Sequence, residues 1–153
     1  MLKVLFVCYG NICRSPMGEA MLRDRAKKEK LDIEVDSAGT HVYTGGNPPY
    51  YLTQEVLDSL NITYDNMYSR SLTKQDFYSY DYIFGMDHDN INDLKKRAPL
   101  GTRHKIHLFL EGVEPYDSKS VPDPYYTRDF DETKILIEKG LDHWLKIFKE
   151  ALD

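Results

Sequence analysis

Cys8 and Arg14 stand six positions apart in "VCYGNICRSP", with Ser15 and Pro16 directly behind them. A thiolate is a strong nucleophile, and a guanidinium is a planar, permanently charged fork that holds two oxygens of a phosphoryl group at once. Between the two lies "YGNIC", whose Gly10 and Asn11 are the residues of the loop best able to take φ > 0 and turn successive N–H groups toward one point. Amide donors, a helix start and an arginine around a cysteine all favour its ionised form. The chemistry that fits is covalent transfer of a phosphoryl group to Cys8, with Ser15 placed to donate a hydrogen bond to the sulfur. Taken singly, Cys8 also reads as a small core residue that ends a buried strand.

The same loop argues against nucleotide binding. It has one glycine and no lysine, and so lacks both G-x-x-x-x-G-K-[ST] and G-x-G-x-x-G.

The elements that position Cys8 and Arg14 follow from local pattern. "LKVLFV" is short and almost wholly apolar, which predicts a fully buried parallel strand ending at Cys8. Ser15 as N-cap, Pro16 at the first helical position and Glu19 in the first turn predict a helix that begins at Ser15. "IEVDSAG" reads as a second strand and "YYLTQEVLDSLN" as a second helix. Thr73 and Asp76 in "LTKQDF" form a capping-box pattern for a short helix. "YDYIFGM" is a third strand, followed by a helix that starts at a capping Asp87 and stops at Pro99. "KIHLFL" is a fourth strand, Glu111 to Asp129 an irregular stretch, and the spacing of Ile137, Leu141, Trp144, Leu145, Phe148 and Leu152 predicts an amphipathic helix from Asp131 onward. Strands alternating with helices imply an α/β three-layer sandwich around a four-stranded parallel sheet, with ligands at the carboxyl ends of the strands, where Cys8 sits.

Composition narrows the function classes. The 153 residues are 41% apolar and 29% charged, as expected for one globular domain spanning 1–153. A net charge of −5 argues against nucleic-acid binding, and the N-terminal apolar run is too short for a signal-peptide core or a membrane span. Cys8 and Cys13 are too few for an all-cysteine zinc site, and their C-x4-C spacing is not a redox C-x-x-C, so both are expected to be reduced thiols in a cytoplasmic protein.

Displacing a poor oxygen leaving group from phosphorus also needs a proton donor. Asp123 in "VPDPYY" is the candidate, because Pro122 and Pro124 restrict the backbone on both sides. On its own the stretch reads more readily as a Pro-Asp-Pro surface turn. Asp36, Asp87 and Asp89 read as strand-end and helix-cap residues.

The "VCYGNICRSP" loop resembles the signature loop of the low-molecular-weight protein tyrosine phosphatases. The resemblance extends through "DSAG", "LTKQDF", "YDYIFGMD" and "VPDPYY" and covers essentially the whole chain. It implies Cys8 as nucleophile, Arg14 as phosphate clamp, Asp123 as general acid, and a phosphate cradle formed by Tyr9, Gly10, Asn11, Ile12, Cys13, Arg14 and Ser15. It further implies a phosphocysteine intermediate without metal or cofactor, and phosphotyrosine proteins or small aryl phosphates as substrates. Tyr43 and Tyr125, with Tyr126, would wall the groove, while Tyr9 and His41 occupy positions where members vary. No nucleic-acid or membrane partner is expected, and the chain is expected to be a monomer or to self-associate weakly.

Two relatives of the same fold define the alternatives. Arginine-directed members typically carry threonine at the position of Ile12, and arsenate reductases relay electrons through further cysteines, of which this chain has none after Cys13. A phosphate-reading module without turnover would be expected to lack Cys8, Arg14 or Asp123. Cys13 is open to two readings, as a packing residue or as a redox partner that forms a reversible disulfide with Cys8. Met67 falls where many members place a histidine that helps anchor the loop asparagine, so Asn11 is expected to rely on Ser15 and Ser37 alone, in a somewhat less rigid loop.

Overall fold

The computed structural model describes residues 1–153. Its centre is the strand β1, Leu2–Cys8, and the alternation of side chains along it divides the interior in two. Leu2, Val4, Phe6 and Cys8 face one core, Leu5 and Val7 the other. Both faces are covered, which is why β1 shows no polar face in the sequence.

Three parallel strands complete the sheet in the order β2-β1-β3-β4, with β2 at Ile33–Gly39, β3 at Tyr82–Gly85 and β4 at Ile106–Leu108. β1 is paired on both edges, from Leu2↔Ile33 to Cys8↔Gly39 on one side and from Val4↔Tyr82 to Val7↔Gly85 on the other. The carboxyl ends of β1, β2 and β3 therefore lie side by side and deliver Cys8, Gly39 and Gly85 to one rim.

Helices α1 (Arg14–Lys28), α2 (Tyr51–Ser59) and α6 (Phe130–Leu152) cover the Phe6 face, and α3 (Lys74–Ser79) and α4 (His88–Arg97) cover the Leu5 face. The short α5, Pro124–Thr127, lies at the rim. This is the three-layer α/β architecture expected from the strand and helix alternation. Gly18 lets α1 lie close on β1, since a Cβ there would come within 2.8 Å of the Phe6 ring. On the same face α6 buries Trp144 and Phe148 against Phe84, and Trp144 Nε1 donates to the carbonyl of Phe109 at 2.7 Å.

Both cap patterns expected for α3 and α4 form. Thr73 and Asp76 bond reciprocally at α3, and Asp87 and Asn90 do so at α4. Helix α1 differs. It starts at Arg14 with Cys13 at the cap position and no side-chain cap, because the Ser15 hydroxyl is turned toward Cys8 instead of the helix backbone. Glu19 consequently lies beyond the first turn. β4 is shorter than its apolar run suggests, since Phe109 and Leu110 leave the strand to join the core. The irregular stretch from Glu111 holds α5, with Asp123 as its N-cap. α6 begins one residue earlier than expected, capped by Asp129.

Candidate active site

The loop from Tyr9 to Cys13 joins β1 to α1, and its main-chain hydrogen bonds are one-sided. Three of its five carbonyls are used: Tyr9 O accepts from His41 N at 2.8 Å, Ile12 O from Tyr50 N at 2.8 Å, and Cys13 O from Met17 N at 3.3 Å. The N–H groups of Tyr9 through Ser15 have no acceptor within the protein. Seven consecutive donors left free beside a helix N-terminus make a strong anion site. Asn11 takes φ 58°, the left-handed turn the loop needs, whereas Gly10 stays outside the positive-φ region, so its expected backbone role falls to Asn11 alone.

Asn11 is held from three directions. Its Nδ2 donates to Ser15 Oγ at 2.8 Å and to Ser37 Oγ at 2.9 Å, and its Oδ1 accepts from the Arg70 N–H at 2.9 Å. The expectation of anchoring by Ser15 and Ser37 alone is thus corrected by the Arg70 main chain. Met67 is buried in the main core, so it contributes packing in place of a hydrogen bond. Beneath Ser37 lies the buried carboxylate of Glu19, which accepts from Ser37 Oγ at 2.6 Å and pairs with Arg23. Burial pushes the Glu19 pKa up; the Ser37 hydrogen bond and Arg23 offset this only in part.

The nucleophile candidate sits on this frame. Cys8 Sγ and Ser15 Oγ are 2.9 Å apart, and Ser15 Oγ already accepts from Asn11, so its own proton is free for the sulfur. Cys13 is also buried and free, but burial, together with Cys8 and Asp123, pushes its thiol up to about 12.

Arg14 is 2% exposed and fixed by several partners. Nη1 donates to Asp87 Oδ2 at 2.7 Å and to the carbonyl of Val121 at 2.9 Å, and Nη2 lies 3.5 Å from Asp123 Oδ2. Burial works against its charge, yet Cys8, Asp87 and Asp123 more than compensate and the guanidinium pKa is raised. Asp87 is therefore more than a helix cap. Its Oδ1 caps α4 through Asn90 N at 2.7 Å, while Oδ2 holds Arg14. Asp36 is not merely a strand-end residue either, because it pairs with Arg70 at 3.0 Å.

A cleft of about 360 Å³ opens over the loop, lined among others by Cys8, Arg14, Ile12, Asp123 and the aromatic residues Tyr9, Tyr43, Tyr125 and Tyr126. Every groove residue expected from the sequence lines it. Val42, Thr44 and Asn47 line it too and carried no signal of their own, although they lie in the turn-rich segment after β2. Tyr9 is stacked on His41, with ring centroids 4.5 Å apart and planes 12° from parallel. Asp123 Oδ1 accepts from Tyr125 N at 3.0 Å and so caps the short α5 at the edge of the cleft.

The sequence model of the family described as "Low molecular weight phosphotyrosine protein phosphatase" matches residues 3–153. The chain belongs to this family. Its members remove phosphate from phosphotyrosine by cysteine-based chemistry, and the chain is accordingly a protein tyrosine phosphatase. This phosphatase is 46% identical over 147 residues to the low molecular weight protein-tyrosine-phosphatase YfkJ of Bacillus subtilis, spanning 95% of this chain and 94% of that one. The YfkJ crystal structure superposes with a TM-score of 0.95 at 43% identity, covering 100% of this phosphatase and 98% of YfkJ. The protein tyrosine phosphatase of Entamoeba histolytica gives a TM-score of 0.91 at 33% identity, covering 99% of each chain. A Drosophila arginine phosphatase gives 0.90 at 33% identity, covering 97% of this chain and 98% of the other.

Proposed function

We propose that residues 1–153 act as one domain that hydrolyses protein phosphotyrosine, and small aryl phosphates, through a phosphocysteine on Cys8. The observation that carries this reading is that Cys8, Arg14 and Asp123 line one cleft, over a loop whose seven successive N–H groups from Tyr9 to Ser15 have no acceptor within the protein.

In the first step Cys8 Sγ forms a bond to phosphorus as the bond to the phenolic oxygen breaks. That oxygen leaves with the electron pair and takes the proton of Asp123. In the second step Asp123, now a carboxylate, accepts a proton from water as its oxygen attacks phosphorus. The S–P bond breaks, and the thiolate and inorganic phosphate are released. Arg14 and the amides of Tyr9 to Ser15 stabilise the equatorial oxygens in both steps, and Ser15 stabilises the departing thiolate.

Tyrosine is favoured over serine by the walls, because Tyr9, Tyr43, Tyr125 and Tyr126 line the cleft and a phenyl ring, unlike a serine methylene, can pack against them. The arginine-directed alternative is not better supported, since Ile12, where such members typically have threonine, is an apolar part of the lining. A reducing compartment such as the cytoplasm suits two free thiols, one of them the nucleophile.

Turnover of 4-nitrophenyl phosphate and of a phosphotyrosine peptide, compared between the parent and Cys8→Ser, tests the reading. Activity lost in the variant is expected. Parent-like activity in Cys8→Ser, or phosphate binding without turnover in the parent, overturns it.

A further inference from the structure

The phosphate loop and the acid loop come from opposite ends of the chain, and Tyr50 touches both. Its N–H donates to Ile12 O at 2.8 Å, fixing the middle of the phosphate loop to the start of α2. Its ring meets the groove residue Tyr125 edge-on, with centroids 5.6 Å apart, and stacks on Phe130 at 5.9 Å. Its hydroxyl accepts from both terminal nitrogens of Arg128, each at 3.2 Å.

Arg128 is the other end of the acid segment. It stops α5 in the left-handed region at φ 62°, and Asp123 caps the start of that same turn. The guanidinium also donates to the carbonyl of Tyr125 at 3.3 Å and lies 5.8 Å from the Phe130 ring centroid. The segment from Asp123 to Arg128 is thus a single helical turn. It is tied at one end to Arg14 through Asp123 and at the other to Tyr50 through Arg128.

We propose that Tyr50 and Arg128 are positioning residues that clasp the acid turn to the phosphate loop and so hold Asp123 at proton-transfer distance from the leaving oxygen. This rests on Asp123 being the general acid. Neither residue reaches the cleft lining, so both act through others. Without the clasp the turn keeps its Arg14 contact but loses the anchor at its far end, and the carboxyl group drifts. Proton transfer depends steeply on distance, so the loss grows with the basicity of the leaving group.

The test is kcat/KM over aryl phosphates from 4-nitrophenyl, which needs little protonation, to phenyl, which needs much. It compares the parent with Tyr50→Phe, Arg128→Ala, Arg128→Lys, the double variant and Asp123→Asn. Tyr50→Phe keeps the ring and the main-chain bond to Ile12, and Arg128 is exposed, so folding is not at stake. Tyr50→Phe and Arg128→Ala should each lower kcat/KM roughly tenfold for phenyl phosphate and less than about twofold for 4-nitrophenyl phosphate. Inhibition by inorganic phosphate should hold near the parent value. The double variant should be no worse than either single one, as for two halves of one contact, and Arg128→Lys should recover part of the loss. Equal losses on all substrates, or none, with Asp123→Asn steepening the leaving-group dependence as expected, overturn the clasp alone. A parent-like dependence in Asp123→Asn overturns the acid assignment and the clasp with it.

Discussion

Arg14 Nη1 donates to Asp87 Oδ2 at 2.7 Å, so the residue that caps α4 sets the orientation of the guanidinium at the start of α1. Because the other Asp87 oxygen caps α4, one carboxylate joins the starts of α1 and α4 at the rim. The guanidinium is held in place before any substrate arrives, which lowers the ordering cost of binding an anion.

Asp87→Asn separates the charge from the cap, since asparagine still caps a helix. The variant should lose about 2 kcal/mol of stability in urea unfolding, the scale of a hydrogen bond to a charged group. Its affinity for inorganic phosphate should weaken as Arg14 becomes mobile. An unchanged midpoint together with an unchanged phosphate affinity would contradict the role of Asp87.

The pH profile separates the two reacting groups. The first step needs Cys8 ionised, so kcat/KM rises with pH on the acidic side, and needs Asp123 protonated, so it falls again on the alkaline side. Asp123→Asn should abolish the falling limb and lower kcat/KM for phenyl phosphate by roughly 100-fold or more. A falling limb that persists in the variant assigns the acid elsewhere.

Iodoacetate distinguishes the two thiols. With Cys13 pushed up to about 12, its thiol is un-ionised at pH 7 and Cys8 alone should be alkylated, with inorganic phosphate protecting it. Peroxide should convert the Cys8 thiolate to a sulfenic acid, and attack by Cys13 with loss of water would give the disulfide. With excess peroxide the unprotected sulfenic acid of Cys13→Ser is oxidised on to the irreversible sulfinic acid, so inactivation reversed by dithiothreitol in the parent but not in Cys13→Ser is the expected result. Equal recovery in both leaves Cys13 as packing.

Glu19 links the frame of the loop to pH. Its folded-state pKa lies above the ordinary 4.5, so between these values the folded protein binds more protons than the unfolded chain, and stability falls as pH rises through that window. Glu19→Gln, which can still accept from Ser37, should remove this contribution. The stability of the parent relative to the variant, measured by thermal melting, should decline from below pH 4.5 to above the raised value. A constant difference across that range would show that Glu19 does not titrate with folding.

Much of the site was legible because its signals are local. β1, the thiol at its end, the arginine six residues on, and the capping boxes at Thr73 and Asp87 are patterns of near neighbours. Steric and hydrogen-bonding preferences act within a few residues of chain, so sequence order alone determined them. Ser15 shows the limit. Its type and place fit an N-cap, but a buried sulfur 2.9 Å away took its hydroxyl.

What tertiary structure decided are the partners that arrive from far along the chain. Asp87 reaches Arg14 across 73 positions, the Arg70 amide reaches Asn11 across 59, and Arg128 reaches Tyr50 across 78. Glu19 reads as a first-turn residue until the sheet brings Ser37 over it and buries the carboxylate. None of these pairs has a spacing that a helix or strand period would produce. They exist because parallel strands bring their carboxyl ends to one rim, where each helix start and loop must satisfy its polar groups with whatever the fold sets beside it.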